Sequence, residues 1–202
     1  MRVDKVIWRA ALFTLAAITA LFALMLLVLC FLFPWTMMQV TYNLGMERSC
    51  IRNGKRAYNM SDEVYYIAFA TDVAISEGEY ERVVECGEMF LSDAEFDSYC
   101  AKHNEELPEG VGVTYDQYVY AQVSLAKYRL GDKEGAVLTA FDSLDESFPK
   151  NNAVVAVLVT ALGEEDDETV AMIREKMANV QSTYSEADQT YFSEILDLAR
   201  NA

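Results

Sequence analysis

The sequence predicts an all-α chain in which one membrane-spanning helix precedes a helical domain. Three observations predict it. Ala10 to Phe33, AALFTLAAITALFALMLLVLCFLF, runs for 24 residues without a charge. Downstream, apolar residues recur at helical spacing between short polar or glycine-containing breaks. No stretch of the chain alternates apolar and polar residues as a half-buried strand does.

As a helix the apolar run would be roughly 36 Å long at about 1.5 Å per residue, enough to cross a hydrocarbon core of about 30 Å with some tilt. Trp8 stands before it and Pro34-Trp35 after it, where amphipathic rings sit at the headgroup layers. Arg2, Lys5 and Arg9 precede the run, whereas Pro34 to Met46 holds no charge and Arg48, Arg52, Lys55 and Arg56 come later. This asymmetry predicts a cytoplasmic N-terminus, residues 1–9, and an extracytoplasmic domain. A cleaved signal peptide would have a shorter apolar region and small residues at its cleavage site, which neither Leu27-Val28-Leu29 nor Phe33-Pro34 offers. Residues 10–33 therefore read as an uncleaved anchor in the lipid bilayer. Within it, Ala16 and Ala20 either pack against a second helix or simply fill an apolar segment.

The 202 residues carry 16 Lys and Arg against 32 Asp and Glu, a net charge of −16. Since the nine residues before the anchor are basic, the part after it is more acidic still. Such a domain is excluded from binding nucleic acid by phosphate neutralisation, and its net charge predicts repulsion from an anionic bilayer.

Residues 34–60 read as a juxtamembrane helix from Trp35 to about Arg52, followed by a turn at Asn53-Gly54. No Ser-, Gly- or Pro-rich tether comes after it, so the domain, residues 61–202, is expected to sit close to the membrane. Ser61-Asp62-Glu63 offers an N-cap for a helix from Val64 to Ser76, with Val64, Ile67, Ala68, Ala74 and Ile75 on its apolar stripe. Glu77-Gly78-Glu79 breaks it, and Tyr80 to Leu91 resumes. Ser92-Asp93-Ala94-Glu95 reads as a capping box for a helix running to about Glu105. Leu107 to Val113 is a loop. Thr114 caps a helix from Tyr115 to Leu130, Gly131-Asp132 turns the chain, and Lys133 to about Ser147 forms the next helix, stopped by Phe148-Pro149. Asn152 to Leu162, Asp167 to about Val180 and Glu186 to Arg200 complete the series.

Helix pairs of this length prompt a search for a period of about 34 residues. Gln117 to Lys150 is one such period, with Gly131 at the interhelix turn, Ala136 and Ser143 at small positions of the second helix, and Pro149 at the junction to the next pair. It resembles the tetratricopeptide repeat (TPR) family. A weaker copy has Gly78 at the turn and Tyr80 after it, but Val83 where the family prefers alanine. The pair after Pro149 departs further, with Leu158 at a small position and Glu165 at the turn. Gly78 and Gly131 stand 53 residues apart, so an extra helix containing Cys100 interrupts any regular array. The resemblance covers Val64 to roughly Val180 and implies a short α-solenoid of antiparallel helix pairs.

It also implies a concave groove lined by the first helix of each pair. In the middle repeat its positions fall on Tyr118, Ala121, Leu125, Tyr128 and Arg129, and in the earlier copy on Tyr65, Ala68, Asp72 and Ile75. Tyrosine and arginine are residue types that dominate binding energy at interfaces, although any one of these side chains could instead pack between repeats. The layout is similar to bacterial TPR proteins with one N-terminal anchor. The expectation is a non-enzymatic interaction module that holds a membrane-associated protein partner.

Cysteines supply the remaining chemistry. Cys86 and Cys100 fall at similar heights on facing helices of a hairpin, so they read either as a disulfide, worth roughly 3 kcal/mol for a loop of about 15 residues, or as buried thiols. Cys50 would then be an odd thiol, and Cys30 lies in the anchor. Cys100 and His103 share a helix face, which admits a thiol-base or metal reading, although one histidine in the chain favours a solvated side chain. The run Glu164 to Glu168 lacks the spacing of a calcium loop and suits a helix N-terminus. No nucleotide, nucleophile-elbow or metalloprotease motif occurs, so neither a cofactor nor a metal is expected.

Overall fold

The computed structural model describes residues 2–107, 112–144, 152–180 and 185–198. Among them the chain is helical throughout, without a strand. In order the helices are α1 (Arg2–Leu32), α2 (Pro34–Asn43), α3 (Glu47–Ser61), α4 (Val64–Ser76), α5 (Tyr80–Leu91), α6 (Phe96–Glu105), α7 (Tyr115–Arg129), α8 (Lys133–Asp142), α9 (Ala153–Gly163), α10 (Asp167–Val180) and α11 (Glu186–Leu198). Part of the loop at 108–111 and the junction containing Pro149 lie outside the described residues.

In α1, Ile7–Leu29 is long and apolar enough to cross a membrane, and none of it is buried against the rest of the protein. An apolar surface of that size is stable in lipid rather than in water. Beyond α1 the chain breaks at Phe33, and Pro34 opens α2 at a position where its missing N–H costs nothing.

The juxtamembrane stretch differs from its sequence reading. The break falls at Gly45, whose φ of +64° suits glycine, and not at Asn53-Gly54. Asn53 and Gly54 lie buried in the middle of α3. A Cβ added to Gly54 would stand 3.0 Å from Cβ of Ala70 and 3.1 Å from Sδ of Met38, so glycine lets α3 pass close to α2 and α4 at once. Local turn propensity yields here to packing. Ser61 and Ser92 likewise end helices rather than start them. Asp62 in the left-handed region (φ 58°) caps α3, and Ser92 caps α5. The side chains that do cap N-termini are Asp132, accepting from Gly135 N–H, and Asn152, accepting from Val155 N–H, each at 3.0 Å, together with Asp166, accepting from Thr169 N–H, and Ser185, accepting from Asp188 N–H, each at 3.3 Å.

Two apolar cores lie along the domain. Met38 of α2 and Cys50 and Ile51 of α3 join Ile67, Val73, Phe90 and Val123 in the first, so residues 34–60 share a core with α4, α5 and α7. The second gathers Val137, Val154, Leu158, Ile173, Met177 and Phe192 from α8 to α11. Helix α7 bridges them: Val119, Val123 and Ala126 face the first and Tyr128 the second, while Tyr120 packs against both. At Gly87 an added Cβ would overlap Cγ2 of Val123, which is how closely α5 and α7 approach.

Candidate functional site

Where α4, α6 and α7 meet, seven rings gather on one face. Tyr65 packs on Tyr66 and Phe69, with centroids 5.5 and 6.1 Å apart. Tyr115 lies 4.3 Å from the His103 ring and 6.4 Å from Tyr118, and Tyr99 stacks on His103 at 6.4 Å. Tyr65, Tyr99, Lys102, His103 and Glu106 line a shallow cavity of about 230 Å³. Helix α6 thus supplies one wall of this pocket.

Asp72 lies partly buried beside these rings. Tyr115 donates its hydroxyl to Oδ1 at 3.0 Å and Oδ2 at 2.9 Å. Burial pushes the Asp72 carboxyl up, opposed by the Tyr115 hydrogen bond and by His103. Burial and the nearby Asp72 charge push the Tyr115 phenol up as well, and burial raises Tyr99 to about 12. Both rings therefore stay neutral donors. No lysine or arginine pairs with Asp72 among the described residues, so its charge is met by a phenol and not by a cation.

Of the groove positions implied by the repeat resemblance, the structure brings Tyr65, Asp72 and Tyr118 to this face. The other six go elsewhere: Ala68 is buried in the first core, Ile75 packs against it, and Ala121 packs against the second. Leu125 packs half-buried against the second core. Tyr128 is buried, and its hydroxyl donates to Asp166 at 3.0 Å and Glu164 at 3.3 Å. Arg129 pairs with Glu164. Lys133 Nζ adds an ion pair to Asp166 at 2.9 Å, and Thr169 donates to the same residue through Oγ1 at 2.8 Å. Here the acidic run after α9 is used internally, to clamp α7 and α8 onto the start of α10. Burial alone would raise Asp166, but hydrogen bonds from Lys133, Thr169 and Tyr128 outweigh it and hold the carboxyl at about 2.

Of the two readings of Cys86 and Cys100, a disulfide or buried thiols, the structure has the thiols. Cys50, Cys86 and Cys100 are buried free thiols. All three belong to the first core, so each thiol substitutes for a small apolar side chain. Burial pushes Cys86 up to about 11 and Cys100 up to about 12, which disfavours the thiolate that nucleophilic or metal chemistry needs. Although Cys100 and His103 are one turn apart, Cys100 is buried in the core and His103 is exposed against Tyr115. Among the described residues no group of three His, Cys, Asp or Glu side chains is placed to hold a metal ion.

Sequence reasoning missed Tyr99 and Tyr115, because α6 and the start of α7 fall outside the groove positions of the repeat. The density of tyrosine between Tyr99 and Tyr120 was the available signal.

The class these features define is an all-α protein with one N-terminal apolar helix. No protein-family model, curated protein or solved structure matches the chain.

Proposed function

We propose that the chain is a membrane-anchored, non-enzymatic interaction module whose α4–α6–α7 face holds a protein partner at the membrane. The observation that carries this reading is the aromatic face of Tyr65, Tyr99, His103 and Tyr118 set beside a carboxylate without a cation. Tyrosine rings attract a cation through their π faces, and Asp72 adds a formal charge in a partly desolvated position. The matching segment carries Lys or Arg beside an apolar residue, which also suits a domain this acidic.

In this reading α4/α5, α7/α8 and α9/α10 are TPR-like pairs. Gly78 and Gly131, with φ of +66° and +86°, make the turns of the first two. Helix α6 is an insertion that reshapes the groove into a pocket. The domain lies on the extracytoplasmic side, as the basic residues before α1 favour.

A photo-crosslinking residue at Tyr118, compared with one at exposed Glu175, tests it in intact membranes. A protein adduct specific to position 118, lost on Tyr65→Ala and retained on Glu168→Ala, is expected. The same adducts from both positions, or lipid adducts alone, would overturn it.

A further inference from the structure

The domain is acidic as a whole, yet five of its basic side chains converge in one place. Arg48, Arg52, Lys55, Arg56, Arg82 and Glu85 line a cleft of about 350 Å³ between α3 and α5. Glu79 takes Arg48 Nε at 2.7 Å and Arg82 Nε at 2.9 Å, and Glu85 is paired with Lys55. The lining thus holds five basic side chains and one carboxylate, a positive excess. Arg52 is exposed without an ion pair among the described residues, and the Arg48 side chain is 76% exposed.

The position of this cleft follows from the α2–α3 hairpin. The Cys50 thiol lies against the Thr41 hydroxyl, and Gly54 lies against Met38. In that register α3 runs back along α2, and Arg56 comes level with Trp35–Thr36. At about 1.5 Å per residue that is about one helical turn beyond the end of α1, on a helix packed about 8–10 Å to the side. Residues remote in sequence from α1 are therefore returned close to its end.

We propose that the α3–α5 cleft is a binding site for the phosphate of an anionic lipid headgroup in the leaflet where α1 ends. The Arg52 guanidinium meets the phosphate oxygens, with Arg48, Lys55 and Arg56 adding charge as they exchange from their present partners. Local charge overrides the net repulsion because the screening length at physiological salt, about 8 Å, is short compared with the domain. The inference rests on α1 lying in the bilayer and is independent of the aromatic pocket.

The test uses the full chain in nanodiscs of mixed phosphatidylcholine and phosphatidylglycerol, released into a native mass spectrometer that counts retained lipids. Phosphatidylglycerol is expected to be retained in preference. The preference should fall roughly fivefold with Arg52→Gln and further with Arg52→Gln/Arg56→Gln, as expected for basic residues near an anionic surface, while helix content by circular dichroism is unchanged. Equal retention of the two lipids, or a preference unaffected in the folded double variant, overturns the site. Displacement of the retained lipid by inorganic phosphate overturns its assignment to the bilayer and makes it a free-anion site. A chain that fails to enter nanodiscs refutes the anchor reading instead, and loss of the groove adduct leaves this site untouched.

Discussion

The Tyr115 hydroxyl bridges both carboxylate oxygens of Asp72, tying the first turn of α7 to the last half of α4 across 43 residues of chain. Between them the chain runs through α5 and α6, so this one contact closes the pocket on three helices. Tyr115→Phe keeps the ring packing against His103 but leaves a partly buried carboxylate without its donor. We expect a loss of about 1–3 kcal/mol, read by urea denaturation. Adding Asp72→Asn should recover part of it, because an amide is less costly to leave unpaired than a charge.

Asp72 also sets a pH dependence. Burial raises its carboxyl above the ordinary value of 3.8, so the native state holds this proton more tightly than the unfolded chain does. Its contribution to stability is fully present below 3.8 and is lost as pH rises through the raised native value. Denaturation midpoints of wild type and Asp72→Asn should therefore diverge with increasing pH across that interval. Parallel pH profiles would show that the carboxyl is not perturbed.

Asp166 predicts the opposite slope. Its carboxyl is held at about 2 against an ordinary 3.8 by Lys133, Thr169 and Tyr128, in spite of burial. Its stabilisation is present above 3.8 and lost as pH falls toward 2. Asp166→Ala should cost about 1–2 kcal/mol at neutral pH through the lost helix cap alone, and should flatten the acid limb of the unfolding curve. A variant with the same acid limb as wild type would place the acid sensitivity elsewhere.

Gly87→Ala tests the α5–α7 approach. The added methyl overlaps Val123, so we expect destabilisation of about 1–3 kcal/mol from overpacking, in spite of the better helix propensity of alanine. Val123→Ala in the same chain should relieve the clash, and the two substitutions should be strongly non-additive in a double-mutant cycle.

The thiols give a direct check on the core. Cys50 and Cys86 have no exposure and Cys100 has 2%. In a Cys30→Ser background, native protein should resist maleimide, take up three labels in denaturant, and show the same mass with and without reductant. Rapid native labelling or a two-proton mass deficit would contradict the packing. For the same reason Cys50 is a poor reporter of membrane sidedness. Glu81→Cys, at an exposed position of α5, should serve instead.

The helices were legible because apolar spacing, glycine and proline mark their limits: α4, α5 and α10 run over the spans predicted for them. The first failure was Asn53-Gly54, a turn pair by local preference that tertiary contact with Met38 and Ala70 holds inside a helix. Helix existence is encoded locally, whereas the identity of a close crossing depends on residues far along the chain. The site was half legible for the same reason. Tyr65, Asp72 and Tyr118 come from the register of a helix pair, but Tyr128 and Arg129 meet an acidic turn about 35 residues further on, and Tyr99 arrives on α6. Cys86 and Cys100 fell at matching heights, and height alone does not fix the facing side.

Met38 is wholly buried with residues of α3, α4 and α5 although it sits only six residues beyond the end of α1. Mechanically, α1 runs into a stave of the domain and not into a string. Tilt or rotation of α1 would be delivered to α2 as torque and passed to the core through Met38 and Gly54, whereas a soft tether would absorb it. A soluble fragment should accordingly begin at Pro34; one beginning at Ser61 would lose a wall of the first core and expose Ile67 and Ala70.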